Sequence, residues 1–277
     1  MKNLTATCTD IVSYNRPERS AENLSLLYSC IDLTNLNSFA QERDIADLCQ
    51  KALRTQFQDI DIPRVAAVCV YPVYVDQCQE ALKASGVNIA TVTACFPHAQ
   101  TYSEVKYLET ELALKHGATE IDIVISLSAF LNKQQSLVFD EIKTIKQLCG
   151  DKHLKVILET DLLKEASLIE QASVVSLEAG ADFIKTSTGK DGSIASLEAV
   201  YIMCQKLKEH FEKTKKHCGL KPAGGIATAD DALNYMAIVN EVLGNDWLTP
   251  KLFRLGASRL AGNLLNDLAE LQQESDS

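Results

Sequence analysis

The chain has 277 residues, 46% hydrophobic and 23% charged, which suits one large soluble domain or two small ones around a sizeable core. Its net charge of −10 argues against a general polyanion-binding surface, so neither nucleic acid nor an anionic membrane is expected as a partner, and any phosphate site must be local. Nine scattered cysteines, with no Cys-x-x-Cys pair and no histidine at zinc-ligand spacing, indicate reduced thiols in a cytoplasmic protein without a metal site.

The N-terminal stretch, residues 1–24, is polar and carries Pro17 with Arg16 and Arg19. It has no apolar signal-peptide core, and it reads as an extension that is partly disordered or lies over the bottom of the domain. Beyond it, short apolar runs alternate with longer stretches of helical period. The runs are Leu26 to Ile31, Val65 to Tyr71, Val87 to Val92, Ile121 to Ile125, His153 to Leu158, Asp182 to Ile184, His217 to Leu220 and Leu252 to Leu255. Between them lie amphipathic segments such as Phe39 to Leu53, Ser103 to His116 and Thr228 to Leu243, the last opening with Thr228 and Asp231 in capping-box spacing. Residues 272–277 form a polar tail expected to fray, and no run reaches the length of a membrane span.

Gly86, Gly117, Gly150 and Gly180 recur at intervals of 31, 33 and 30, each just before an apolar run, where a helix C-cap belongs. Eight strand-helix units of that size fill about 240 residues, so residues 25–271 are expected to form a single α/β domain, a (β/α)8 TIM barrel. A doubly wound open sheet would use fewer strands and often an early Gly-x-Gly-x-x-Gly turn, which is absent from the sequence. The repeat also aligns Gly117 to Asp122 with Gly180 to Lys185, placing Asp122 and Lys185 at equivalent strand positions.

Polar residues gather where the apolar runs end: Asp32, Cys69, Thr93, Asp122, Glu159, Lys185, Lys221 and then Gly256. In a barrel that end of the strands is the catalytic face. A buried lysine needs a reason, and one reason is covalent chemistry. With Lys185 as nucleophile, a nearby Lys221 ammonium would disfavour its charge and leave a free amine able to attack a carbonyl. Asp122 would then shuttle a proton through water. By strand alternation Lys155 shares a face with Glu159, and it could pair with Asp32 or Glu159 near Lys221. Glycine-bearing segments after strands six, seven and eight, around Thr188-Gly189-Lys190, Gly224-Gly225 and Gly256-Ala257-Ser258, suit a phosphate held by backbone amides.

The segments Ile31 to Thr34, Ile184 to Lys190 and Lys221 to Ile226 resemble the signatures of deoxyribose-phosphate aldolase, a class I aldolase family, over about Ser25 to Glu270. The resemblance implies reversible cleavage of 2-deoxy-D-ribose 5-phosphate to acetaldehyde and glyceraldehyde 3-phosphate, with no metal or organic cofactor, in a homodimer. It implies Lys185 as the Schiff-base lysine, Asp122 as proton donor and acceptor, and Lys221 as the lysine that tunes the first; from their strand positions, Asp32 and Lys155 are expected as further members of the site. Thr34, Cys69, Thr188, Gly189, Lys190, Gly224, Gly225, Gly256 and Ser258 are expected to bind substrate or phosphate. Ala227 stands where bacterial relatives often carry Arg, and Arg259, where they often carry Ser, is expected to supply the missing cation. The tail lacks the terminal Tyr that some relatives use for proton transfer, so a water held by Asp122 is expected to do that work. A transaldolase-like enzyme and a catalytically silent phosphate-binding barrel are the competing readings. Cys69 also reads as a small buried core residue, and His98 as a surface residue on the loop after the third strand.

Overall fold

The computed structural model describes residues 2–190 and 192–275. Among them, eight parallel strands form one sheet: β1 (Ile31–Thr34), β2 (Ala67–Val70), β3 (Asn88–Val92), β4 (Glu120–Val124), β5 (His153–Ile157), β6 (Phe183–Lys185), β7 (Gly219–Lys221) and β8 (Leu255–Ala257). They pair in sequence order, and β8 also pairs with β1 through Asp32 and Gly256. Parallel bridges Leu220–Phe253 and Ala223–Gly256 join β7 to β8 and close the ring. A helix follows each strand, as right-handed parallel crossovers require. The expected (β/α)8 TIM barrel is the observed fold.

Strand alternation sets the two faces. Ile121 and Ile123 of β4 point outward into the main apolar core under the helices, while Glu120 and Asp122 point into the barrel. Beside them in the interior, Ala67, Cys69, Ala90 and Val92 of β2 and β3 form a small apolar lining with Leu36. Gly219 has no room for a side chain, because a Cβ there would lie 2.2 Å from the Phe183 ring. The bare backbone of β7 is what lets that ring fill the floor of the barrel.

Two ends of the chain depart from expectation. The run Leu26 to Ile31 is not a strand. Leu24, Leu27 and Tyr28 bury one helical stripe of α2 (Ala21–Ser29), whose first turn is capped by Ser20, so β1 starts only at Ile31. The last strand likewise shifts from Leu252–Leu255 to Leu255–Ala257. The N-terminal stretch is helical, with α1 (Lys2–Asn15) packed on the later barrel helices α10 (Leu197–Thr214) and α11 (Ala229–Leu243) through buried Cys8 and Ile11. Arg19 pairs with Asp267 at 2.6 Å on the final helix α12 (Leu260–Ser275). The expected tail therefore continues α12 as far as Ser275, and its last two residues, with Met1 of the expected extension, lie outside the described residues. The capping box on α11 forms as the spacing requires: Asp231 donates its backbone N–H to Thr228 Oγ1 at 3.1 Å, and Thr228 N donates to the Asp231 carboxylate at 2.9 Å.

Candidate active site

Lys185 and Lys221 are the last residues of adjacent strands and lie opposite one another in register. Asp122 comes from β4, across the interior. Lys185 Nζ meets Asp122 Oδ2 at 2.9 Å, and Lys221 Nζ meets the same oxygen at 2.8 Å. Lys155 Nζ takes Oδ1 at 2.8 Å. One carboxylate thus carries three lysines, and all four side chains are buried. Asp122 and Lys185, equivalent in the glycine repeat, stand on strands two apart in the ring, and their side chains meet.

Deeper in the barrel the network continues. Lys221 makes an ion contact of 2.5 Å with Asp32 Oδ2, and Lys155 lies 2.6 Å from Glu120 and 3.4 Å from Asp32. Arg254 closes it from below, holding Glu120 with both terminal nitrogens, at 3.2 and 2.8 Å, and Asp32 at 2.6 Å. Sequence reasoning passed over Glu120 and Arg254. The signal for Glu120 was present, since alternation puts it two residues below Asp122 on the same face. Arg254 sat hidden within an apolar run. Lys155 pairs with Asp32 as one of its expected partners but not with Glu159. Glu159 leaves the strand in a left-handed conformation (φ 53°) and accepts the backbone N–H of Thr188 instead.

These contacts move the ionisations in different directions. Burial and the Lys221 charge push the Lys185 amine below the ordinary lysine value, against the pull of Asp122. Lys221 is equally buried, but Asp122 and Asp32 outweigh the desolvation and hold it above that value. Lys155, facing three carboxylates, is likewise raised against its burial. Burial opposes the charge of Asp122 and Glu120, yet the adjoining cations keep both carboxyls well below the usual range. Burial pushes Glu159 up, and it pushes the Cys69 thiol up as well. Of the three lysines, Lys185 is the one shifted towards the free amine.

Above Lys185 opens a cavity of about 300 Å³. It is lined by Thr34, Asn35, Leu36 and Asn37 after β1, by Thr188, Gly189 and Lys190 after β6, by Ala223 to Ile226 after β7, and by Gly256 to Arg259 after β8. Among the described lining residues the charges are Lys185, Lys190 and Arg259, with no carboxylate. Gly224 adopts φ +90°, and a Cβ there would lie 2.4 Å from the Ser193 carbonyl oxygen, so this loop can hold its shape only with glycine. Lys190 reaches across the cavity to the Leu36 carbonyl. Cys69 is the exception among the expected substrate contacts: it is outside this lining, buried in the apolar patch of β2 and β3. Ala227 is outside it too, whereas Arg259 is on the cavity wall and exposed. Asn35 and Asn37 were not anticipated, because nothing in their pattern distinguishes them from ordinary loop residues. His98 is exposed, and Thr93 bonds to Thr110 at 2.9 Å, away from the cavity.

Residues 27–242 match the family model described as "DeoC/LacD family aldolase". A human protein named deoxyribose-phosphate aldolase is 41% identical over 244 residues, covering 84% of this chain and 77% of the human one. The bovine protein of that name is 40% identical over 246 residues, 85% of this chain and 77% of its own. The tetrameric deoxyribose phosphate aldolase structure from Aeropyrum pernix superposes with a TM-score of 0.74 at 26% identity, covering 95% of this chain and 98% of that one.

The lowered carboxyls make stability depend on acid. Folded values below the unfolded ones mean that their contribution is complete above the unfolded pKa of about 4 and is lost as pH falls through the folded values. The urea midpoint should thus drop as pH is lowered from about 5 towards 3. Asp122→Asn should flatten that dependence while lowering stability at pH 7 by about 3–5 kcal/mol, since it strands buried ammonium groups. An unchanged pH dependence in the variant would contradict the assignment.

Proposed function

The chain belongs to the DeoC/LacD family of aldolases, and from that premise we propose how this lyase works: Lys185 forms the imine through which 2-deoxy-D-ribose 5-phosphate is cleaved. The observation that carries the reading is the contrast between two buried lysines on neighbouring strands. Lys221 is fixed by two carboxylates, whereas Lys185 touches one and faces the cavity.

In the cleavage direction the Lys185 amine attacks the C1 aldehyde of the open-chain sugar, and loss of water gives an iminium ion. Removal of the proton on the C3 hydroxyl lets the C2–C3 bond break, its electron pair flowing into the iminium to form an enamine. Glyceraldehyde 3-phosphate departs with C3 as its new aldehyde carbon. A proton delivered to C2 and addition of water then release acetaldehyde and regenerate the amine. Asp122 is assigned to hold the water that moves these protons, and its 2.9 Å distance from the Lys185 nitrogen supports that role. Because the iminium is itself the electron sink, the cycle calls for no metal or organic cofactor.

The phosphate end is assigned to the glycine segments after β6, β7 and β8 together with Lys190, Ser258 and Arg259. Lys190 is expected to exchange the Leu36 carbonyl for phosphate oxygen when substrate enters. Residence in the cytoplasm and association as a homodimer belong to the same reading. All nine cysteines are free thiols, as a reducing compartment permits, and Val105, Leu108 and Leu112 leave an exposed apolar stripe along α5 (Ser103–Lys115) for a second copy.

Incubation with acetaldehyde and borohydride, followed by peptide mapping, should place a reduced two-carbon adduct on Lys185. No adduct, or one on Lys221, overturns the assignment. Replacing Arg259 by Ala should raise KM for the phosphorylated sugar about tenfold with little change in kcat, as expected when one charge-assisted phosphate contact is lost. Normal KM in that variant would remove Arg259 from the phosphate site.

A further inference from the structure

We propose that Arg254 and Glu120, at the opposite end of the barrel from the substrate cavity, are positioning residues that leave the Lys185 amine uncharged by completing a charge balance in which it has no share. This rests on the reading of Lys185 as the imine-forming lysine.

Among the described residues the barrel interior holds three carboxylates, Asp32, Glu120 and Asp122, all fully buried or nearly so. Three buried cations already match them, and the half-exposed ring of His153 also lies 3.4 Å from Glu120. Arg254 spans Asp32 and Glu120, Lys155 touches all three, and Lys221 spans Asp32 and Asp122. Each of these cations contacts at least two carboxylates, and each is held in its charged form above its ordinary value. Lys185 is the fourth, with Asp122 as its only carboxylate contact. A buried site with one cation in excess relieves its self-energy by releasing a proton, and the proton leaves from the least-supported cation. That is Lys185.

The other titratable groups facing Lys185 do not alter the count. Cys69 is a buried thiol whose ionisation is suppressed, and Glu159 is raised towards its neutral form and committed to the Thr188 amide. Arg254 therefore acts on the nucleophile without touching it. If Arg254 were absent, Asp32 and Glu120 would draw more of the charge of Lys155 and Lys221. Asp122 would then be left to support Lys185, which would keep its proton. Packing alone is the rival account, because Arg254 also lies over the Phe183 ring, 5.6 Å from its centroid.

The test follows the pH dependence of Lys185 adduct formation with acetaldehyde and cyanoborohydride in the full-length protein. For Arg254→Gln the rising limb should move to higher pH by about one unit, so about tenfold less adduct forms at a fixed pH on that limb. Glu120→Gln should move it to lower pH. The double variant, which removes one charge of each sign, should return it to the parent position, and Arg254→Lys should leave it there. If Arg254→Gln does not fold, the Glu120→Gln and double variants decide the matter. Limbs that stay at the parent pH while rates fall uniformly would overturn the proposal in favour of packing. Absence of any Lys185 adduct in the parent protein would instead overturn the imine reading on which it stands.

Discussion

One buried carboxylate organises the barrel. Asp122 meets the side-chain nitrogens of Lys155, Lys185 and Lys221, each within 2.9 Å. Barrel interiors of this type are ordinarily filled by layers of branched apolar side chains. Here the central layer is ionic, and burying that much charge is tolerable only because nearly every group has more than one partner. Multiple pairing also breaks the symmetry among the lysines. Two of them are shared among several carboxylates and held charged, while Lys185, at the strand end, has Asp122 alone and opens onto the cavity.

The molecule divides its electrostatics by depth. The chain as a whole is acidic, and it keeps the three carboxylates of this network below Lys185, inside the sheet. Above that lysine the described lining is glycine backbone, hydroxyl and amide groups, Lys190 and Arg259. On the proposed reading, a phosphorylated sugar approaching from solvent would meet donors and positive charge at one end and the Lys185 amine at the other. The rigid loop around Gly224, packed against the Ser193 carbonyl, holds these two ends at a set separation.

Much of this was legible in the sequence because the fold repeats. Glycines spaced by about thirty residues gave the unit, the unit gave the barrel, and the strand ends gave Asp122, Lys185 and Lys221. What the pattern did not disclose were the places where an apolar run has a second explanation. Leu26 to Tyr28 form a buried helical stripe as readily as a strand, so β1 began later than expected and Asp32 moved inside the barrel. Arg254 lies between Phe253 and Leu255, and in one dimension a single charge in that setting is absorbed into the apolar run. Only closure of the ring brings it under Glu120 and Asp32. Glu159 shows the converse limit. Alternation assigns it inward beside Lys155, but the backbone turns left-handed at that residue and spends its carboxylate on the Thr188 amide.

The central claim is that one network gives three buried lysines different protonation states. Carbon-13 labelling at lysine Cε, with the Lys185 signal identified by its loss in Lys185→Arg, allows each to be titrated by NMR. The account predicts that Lys185 loses its proton below the ordinary lysine value of about 10.4 while Lys155 and Lys221 remain charged through that range. A Lys185 signal that stays protonated as long as the other two would contradict it.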